Sequence, residues 1–430
     1  MPLREGRDVD YATLRQDHED AEVAVAWLES NEPSYILYTS GTTGKPKGVQ
    51  RDVGGYAVAL ALSMWSVYDI RPGQVMFSTS DIGWVVGHSY NVYGPLIAGA
   101  TSIIYEGLPT APDAGIWWRI VERYRVRTMF SSPTALRVLK KHDPAFITDR
   151  DLSSLEHLFL AGEPLDEPTA RWISDVLGTP VIDNYWQTET GWPVLTLMPG
   201  LDMKPVRLGS PGLPNLGFRL RVIDESTGED APAGEKGVLV IQPPLPPGCM
   251  TTVWRDDQRF VDGYFSHFKE LLYSSLDWAI RDADGYTFIL GRTDDVINVA
   301  GHRLGTREIE ESVSSHPDVA EAAVIGVHDA VKGQVPIVFA TLKRTAHGDE
   351  AGETAAQMRK VVVEQLGGVA RPARVYLVNA LPKTRSGKLL RRSLQALAEN
   401  RDPGDLSTLD DPGALEEVKR ALLRGPEAGD

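Results

Sequence analysis

Residues 39–48 read Thr39-Ser40-Gly41-Thr42-Thr43-Gly44-Lys45-Pro46-Lys47-Gly48, and the rest of the chain is organised around them. Glycine lets backbone N–H groups approach an anion closely, and a run of exposed N–H groups forms a nest for phosphate. The hydroxyl side chains add hydrogen-bond donors, and the two lysines add positive charge. The glycine spacing differs from that of the P-loop, and a solvated turn also fits the stretch taken alone. The preceding run Tyr35-Ile36-Leu37-Tyr38 predicts a buried strand that leads into it.

The composition is that of a soluble globular protein with more than one domain. The chain has 430 residues, 42% of them apolar and 24% charged, which exceeds one ordinary core. Its net charge of −15 argues against a nucleic-acid surface. The single cysteine, Cys249, excludes an intramolecular disulfide framework. The N-terminus lacks the apolar core of a signal peptide, and the most apolar stretch, 56–65, is shorter than the roughly 20 residues that cross a bilayer. We therefore expect a cytoplasmic protein with no membrane or nucleic-acid partner.

Strand and helix patterns alternate between residues 101 and 190, which predicts parallel βαβ units with helices on both faces of a sheet. Ligands of such sheets bind beyond the carboxyl ends of the strands. Because Thr39, Gly162 and Asp183 each follow a predicted strand directly, we expect the motifs that begin there to share one site. From residue 208 to 242 the pattern changes to short alternating strands, which indicates an antiparallel region.

Further motifs follow the first in a fixed order. Together with Thr39–Gly48 they resemble the signatures of the AMP-forming acyl-CoA synthetases, members of the adenylate-forming superfamily. The resemblance covers nearly the whole chain and is closest to the members that act on propionate. The motifs are Ala161-Gly162-Glu163-Pro164, Tyr185-Trp186-Gln187-Thr188-Glu189-Thr190, Gly291-Arg292-Thr293-Asp294-Asp295, Gly301-His302-Arg303 and Pro382-Lys383-Thr384-Arg385-Ser386-Gly387-Lys388.

The resemblance implies an α/β fold in two domains. A large domain, residues 1–294, would combine parallel βαβ layers with a small antiparallel β region. A small mobile α+β domain, residues 295–400, would follow, with Asp294 as the hinge and an acidic tail at residues 401–430. Family members carry a long segment before the phosphate signature that this chain almost lacks. We therefore expect the large domain to be truncated at its N-terminus.

The resemblance also implies a reaction in two halves that uses ATP, Mg²⁺ and coenzyme A. Propionate would attack the α-phosphate of ATP to give propionyl-AMP and pyrophosphate, and the thiol of coenzyme A would then release AMP. Two anions meet in the first half, so positive charge is needed where charge builds up; Lys388 would supply it, and Arg303 would face the departing phosphates. Glu189 would hold Mg²⁺, which prefers carboxylate and phosphate oxygens, and Gly301 would contact coenzyme A.

The same resemblance assigns the nucleotide site and a regulatory site. Asp277 and Arg292 would bind the ribose, although Ser275-Leu276 stands where the family has Thr-Gly before the aspartate. Lys388 is a candidate for a lysine acetyltransferase and a deacetylase, because acetylation removes its charge. The ATP-binding residues would be Thr39, Ser40, Gly41, Thr42, Thr43, Gly44, Lys45, Gly162, Glu163, Pro164, Asp183, Asn184, Tyr185, Trp186, Gln187, Thr188, Asp277 and Arg292.

Four residues would line the acyl pocket, namely Trp84, Val86, Ala161 and Trp186. In the short-chain branch of the family, a tryptophan at position 186 closes the pocket. Ala161 and Val86 stand where acetate-preferring relatives carry valine and threonine, so the wall is wider and apolar. A methylene in such a pocket discriminates by only about 1–3 kcal/mol, so we expect propionate to be preferred but not exclusive.

Three alternatives remain. The chain could be a non-catalytic or weakly active remnant that binds nucleotide, as its short N-terminal part suggests. It could be a short-chain ligase that prefers acetate. It could also transfer the acyl group to a carrier-protein thiol. The presence of every motif favours an active ligase.

Overall fold

A computed structural model of the chain describes residues 3–39, 46–163, 165, 167–293, 295–300, 302–344, 349–384, 389–404, 406 and 409–426, without the side chains of Arg303 and Asp349. In these ranges, no helix combines the length and the apolar character needed to cross a bilayer.

The strands and helices alternate through the first half of the chain and follow a different order in the second. A π-helix covers His88–Tyr93, and a short 3₁₀-helix covers Gly368–Ala370. The strands are β1 (Pro33–Thr39), β2 (Lys47–Asp52), β3 (Val75–Ser78), β4 (Thr101–Ile103), β5 (Thr128–Ser131), β6 (His157–Ala161), β7 (Val181–Asn184), β8 (Leu195–Thr196), β9 (Leu213–Pro214), β10 (Leu220–Ile223), β11 (Lys236–Ile241), β12 (Thr252–Val253), β13 (Tyr273–Arg281), β14 (Thr287–Arg292), β15 (Val296–Val299), β16 (His302–Gly305), β17 (Val319–Asp329), β18 (Gly333–Leu342) and β19 (Arg374–Leu377). The α-helices are α1 (Tyr11–Asp17), α2 (Val53–Ser66), α3 (Val85–Gly87), α4 (Gly94–Ile97), α5 (Ile116–Tyr124), α6 (Pro133–Leu139), α7 (Ala145–Thr148), α8 (Glu167–Leu177), α9 (Asp257–Tyr264), α10 (Thr306–Ser314), α11 (Asp349–Leu366), α12 (Arg391–Ala398) and α13 (Pro412–Arg424).

A parallel sheet in the order β4-β3-β5-β6-β7 forms the centre of the large domain. Successive side chains of a strand point to opposite faces, and both faces are buried here, as parallel sheets require. In β6, Leu158 and Leu160 pack in one core with Trp118 of α5. Phe159 packs in a second core with Leu60 of α2. Helices therefore cover both faces, and the predicted α/β class is confirmed.

The predicted antiparallel region is also confirmed. It is a four-stranded sheet in the order β10-β11-β13-β14, with each neighbouring pair antiparallel. Its inner face carries Val222, Leu239 and Ala279 into a core that it shares with Val49 of β2 and Ala59 of α2. This sheet ends at Arg292, just before the boundary predicted at Asp294, a residue outside the described ranges.

The strand before Thr39 departs from the prediction. β1 pairs antiparallel with β2, and β2 pairs with β12, so these strands form a separate sheet. The strand is present, but the expectation that residues 35–38 are buried is wrong at Tyr38, which is 62% exposed. Strand β12, the second partner of β2, lies some two hundred residues further along the chain. A local apolar pattern cannot reveal such a distant pairing.

The C-terminal part is an α+β unit. Its sheet has the order β16-β15-β18-β17, with β19 parallel to β18. Helices α10 and α11 cover one face through Ile309 and Met358. Helices α12 and α13 cover the other through Leu394 and Val418. The stretch predicted as a tail from residue 401 is therefore integral to this unit between residues 412 and 424.

Candidate active site

The carboxyl ends of several parallel strands converge at one edge of the sheet. Leu160 pairs with Asp183 and Ala161 with Asn184, so the segments that follow β6 and β7 are neighbours. After β3, the backbone N–H of Thr79 donates to the carbonyl of Phe130 at the end of β5 (2.9 Å). Ligands of open α/β sheets bind at this edge, which makes it the candidate active site.

Glu189, just after β7, is the best-defined carboxylate of the site. Its side chain is 13% exposed, and its Oε1 lies 2.6 Å from Nζ of Lys47 on β2. The hydroxyl of Tyr264, at the end of α9, donates to the same Oε1 (2.7 Å). Burial alone raises the pKa of Glu189, but the Lys47 ammonium and the hydrogen bonds together hold that pKa below its ordinary value. Glu189 is therefore ionised at neutral pH.

Asp277 and Arg292 face each other in register on β13 and β14. Arg292 Nη1 lies 3.9 Å from Oδ1 of Asp277. Asp277 is 6% exposed and accepts hydrogen bonds from the hydroxyl of Tyr185 and from Nε2 of Gln187 (2.7 Å). The structure thus brings together the two residues expected at the ribose.

The residue before Asp277 explains the departure from the family pattern. Leu276 has φ of 60°, a left-handed conformation that glycine adopts without the penalty a side chain pays. Leu276 therefore holds, within β13, a conformation that a glycine would adopt at lower cost. The expectation that Asp277 occupies the ribose position therefore retains a geometric basis.

The glutamate and the aspartate belong to one connected wall of side chains. The rings of Tyr264 and Tyr273 are parallel, with their centroids 5.0 Å apart. The hydroxyl of Tyr273 donates to Oε1 of Gln187 (3.4 Å), whose Nε2 in turn reaches Asp277. The Tyr185–Glu189 segment is thereby fixed from both ends.

Asp183 and Glu163 place two carboxyl groups at the edge between β6 and β7. Burial raises the pKa of Asp183 to about 7, and nearby Glu163 adds to that rise, whereas Arg307 on α10 opposes it. Glu163 accepts a hydrogen bond from the backbone N–H of Thr134 (2.6 Å) and lies 3.2 Å from Nη1 of Arg137. Acceptors of this kind suit the amino group of a purine.

Asn184 does not contribute its side chain to this edge. It is 3% exposed, its amide donates to the hydroxyl of Tyr68 (3.3 Å), and its amide oxygen accepts from Thr196. Side chains of consecutive strand residues point to opposite faces, so Asn184 faces the core. The predicted nucleotide contact of Asn184 stays a prediction, and its side chain is already bonded within the core.

Three of the four predicted acyl-pocket residues lie together. Val86, Ala161 and Trp186 belong to one apolar cluster at the edge of the sheet. The ring of Trp186 lies 5.6 Å from that of Tyr90 at 69° and thus closes the cluster on one side. Trp84 precedes α3 and is not a member of that cluster, so its expected place in the pocket stays a prediction.

Sequence reasoning missed three residues of the site. Lys47 stands in the Thr39–Gly48 motif, so the sequence offered a reason to name it as a site residue. Tyr264 and Arg51 belong to none of the motifs. Arg51 is fully buried; its Nε donates to the carbonyl of Gly248 (3.1 Å), and its Nη2 donates to the carbonyl of Thr188. Arg51 thereby holds the backbone immediately before Glu189.

Several expected site residues lie outside the described ranges, so their expected roles stay predictions. Arg303 is described only in its backbone. The others are Ser40, Gly41, Thr42, Thr43, Gly44, Lys45, Pro164, Asp294, Gly301 and Lys388.

The donors around Glu189 suit a divalent cation that arrives with phosphate. Mg²⁺ in such sites takes one or two carboxylates together with phosphate oxygens and water. The ion pair and the hydrogen bond from Tyr264 both fall on Oε1 of Glu189, so a cation would compete with Lys47 for this carboxylate.

Two family models match the chain. The model for the AMP-binding enzyme matches residues 3–252, and the model for the AMP-binding enzyme C-terminal domain matches residues 308–388. The first alone covers more than half of the 430 residues. The chain belongs to the AMP-binding enzyme family, which confirms the resemblance predicted from the motifs.

Among the most similar relatives is the propionate–CoA ligase of Salmonella typhimurium strain LT2. It is 61% identical over 425 residues, which make up 98% of this chain and 68% of the relative. The acetyl-coenzyme A synthetase of Pyrobaculum aerophilum is 46% identical over 426 residues, or 98% of this chain and 63% of that protein. A solved structure, the anthranilate CoA ligase AuaEII in complex with anthranoyl-AMP, superposes with a TM-score of 0.75 at 26% identity. The match covers 88% of this chain and 70% of that one.

Proposed function

We propose that the chain activates propionate to propionyl-CoA, using ATP and releasing AMP and pyrophosphate. The observation that carries this proposal is the 61% identity to a propionate–CoA ligase over 98% of the chain. The 46% identity to an acetyl-coenzyme A synthetase is lower over the same share of the chain, which favours propionate over acetate.

The first half-reaction forms propionyl-AMP. A carboxylate oxygen of propionate attacks the α-phosphorus of ATP, and the bond from that phosphorus to the bridging oxygen of pyrophosphate breaks. Lys388 would stabilise the charge that develops on the phosphate, because an ammonium is a compact point charge that can touch both anions. Arg303 would face the departing pyrophosphate. Mg²⁺ held by Glu189 would neutralise phosphate charge when bound.

The described side chains would hold the nucleoside in place during this step. Asp277 is an acceptor and Arg292 a donor, which suits the two ribose hydroxyls. Gln187 and Tyr185 already bond to Asp277, so its carboxylate is held in one orientation before the nucleotide binds. Preorganisation of this kind lowers the cost of binding.

The apolar cluster would receive the acyl chain. Trp186 would close the pocket at its far end, while Ala161 and Val86 leave an apolar wall with room for the methyl group of propionate. Longer acids would meet the indole ring. This arrangement supports a short-chain acid and leaves acetate as a poorer substrate.

The second half-reaction transfers the acyl group to sulfur. The thiolate of coenzyme A attacks the carbonyl carbon of propionyl-AMP, and the carbon–oxygen bond to AMP breaks. Residues 295–430 would rotate about Asp294 between the two halves and bring Gly301 to coenzyme A. Acetylation of Lys388 would stop the first half only, because it removes the charge that this half needs.

The test is thioester formation by the purified chain with ATP, Mg²⁺ and coenzyme A. We expect propionyl-CoA and AMP, a lower catalytic efficiency with acetate and butyrate, and little product with hexanoate. Lys388→Ala should lose propionate-dependent pyrophosphate release but keep thioester formation from supplied propionyl-AMP. A chain that binds ATP but makes no thioester from any of the four acids would instead be the non-catalytic remnant.

A further inference from the structure

Lys47 and Glu189 form a buried ion pair at the place expected for the metal. Their side chains are only 10% and 13% exposed, and the two charged atoms are 2.6 Å apart. Breaking a buried pair by removing one partner leaves an uncompensated charge, which is strongly unfavourable. Glu189 therefore needs a cation at all times, and the described chain supplies Lys47.

Tyr264 makes this pair exchangeable. Its hydroxyl accepts a hydrogen bond from Lys47 and donates one to Oε1 of Glu189, while its ring is stacked on Tyr273. If the ammonium moves away, Tyr264 still holds the carboxylate in the same orientation. The carboxylate can thus change its cation without rearranging its surroundings.

The position of Lys47 provides it with a second anion. It begins β2 and belongs to the Thr39–Gly48 stretch that is expected to bind phosphate. A triphosphate bound by that stretch would offer Lys47 a second anion. Such a swap would leave Glu189 free at the moment when a divalent cation arrives with the nucleotide.

We propose that Lys47 is the exchangeable counter-cation of Glu189: it occupies the carboxylate in the nucleotide-free protein and yields it to the divalent cation only when nucleotide binds. This inference rests on the proposed function in one respect, since it takes Glu189 as the metal ligand. Its consequence is that the nucleotide-free protein binds a divalent cation weakly, so that metal and ATP bind together.

The test is the affinity of the nucleotide-free protein for Mn²⁺, measured by electron paramagnetic resonance of the free ion. Lys47→Met should bind Mn²⁺ at least about tenfold more tightly than the parent, because the carboxylate no longer has to give up a buried ion pair. Lys47→Met combined with Glu189→Gln should lose that gain. Lys47→Arg keeps the charge and should bind as weakly as the parent. If Lys47→Met does not fold, Lys47→Gln gives the same comparison.

Lys204→Met is the matched control, because Lys204 also lies 2.6 Å from a carboxylate, Asp202, but in an exposed pair. Its Mn²⁺ affinity should equal that of the parent. Equal affinity in Lys47→Met and the parent would overturn the proposal, as would a gain that survives Glu189→Gln. Neither acid nor coenzyme A enters this measurement, so a failure of propionate turnover leaves its result readable.

Discussion

The raised pKa of Asp183 makes the stability of the folded protein depend on pH. Burial raises its pKa from 3.8 to about 7. Between these values the folded protein holds a proton that the unfolded chain has released, so this group destabilises the fold increasingly as pH rises from about 4 to 7. Above pH 7 Asp183 is ionised in the folded protein as well. The loss of folding stability is then constant, at up to about 4 kcal/mol.

Asp183→Asn should remove this dependence. The difference in free energy of unfolding, variant minus parent, should grow in favour of the variant from pH 4 to 7 and then level off. Urea unfolding at a series of pH values measures it. A difference that does not change with pH would mean that Asp183 titrates normally in the folded protein.

Ala161→Val should shift the choice of acid. The added methyl groups narrow the wall beside Trp186, so propionate should lose about 1–3 kcal/mol of transition-state binding relative to acetate. The measurement is the ratio of catalytic efficiencies for propionate and acetate. Ala170→Val, on α8 and buried in the core of the other sheet face, is the control and should leave this ratio unchanged. If both variants leave it unchanged, Ala161 does not line the pocket.

Individual residues also mark how far the sequence could predict the site. The motifs point to Glu189, Asp277 and Arg292, which the structure brings near one another through Gln187 and Tyr273, while their roles stay predictions. Tyr264 and Arg51 were not predictable, because each acts through a partner that is distant in the chain. The core-facing side chain of Asn184 was not predictable either, because a motif does not say which face of a strand a residue takes.

Helix α13 illustrates the same limit at the level of elements. Its composition resembles a charged tail, yet Val418 is fully buried against the sheet of the C-terminal unit. The antiparallel region after residue 208 was predictable from a local pattern. The packing of α13 and the pairing of β2 with β12 were not, since they depend on contacts far apart in sequence.

Val418→Asp should unfold the C-terminal unit or weaken it by roughly 3 kcal/mol or more, because it buries a charge without a partner. Leu423→Asp lies on the same helix but is 88% exposed, so it should change stability by no more than about 0.5 kcal/mol. Urea unfolding followed by circular dichroism compares the two. Equal stability of both variants would show that α13 does not pack on this sheet in solution.

At the scale of the whole molecule, the two units touch through a small set of polar contacts. Nζ of Lys236 lies 2.9 Å from Oε1 of Glu308, and Arg307 donates to the carbonyl of Ile289. Partly exposed ion pairs contribute little, typically below about 1 kcal/mol. Contacts of this size are compatible with a C-terminal unit that changes its orientation during the reaction.

Asp294→Pro tests that rotation. Proline fixes φ near −65°, and only a few hinge residues need to absorb a domain movement, so one half-reaction should survive while the other collapses. Pyrophosphate release and thioester formation from supplied propionyl-AMP measure the halves separately. Asp294→Ala keeps the backbone free and should retain both. Two unchanged half-reactions in the proline variant would place the hinge elsewhere.

The central claim is that propionate is activated as its adenylate, and the fate of its carboxylate oxygens tests this most directly. Propionate labelled with ¹⁸O at both oxygens should transfer one label to the phosphate of AMP and keep the other in the carbonyl of propionyl-CoA. Mass spectrometry of AMP after complete turnover measures the transfer. One ¹⁸O in each AMP is the result we expect, whereas unlabelled AMP, or label in inorganic phosphate, would contradict the account.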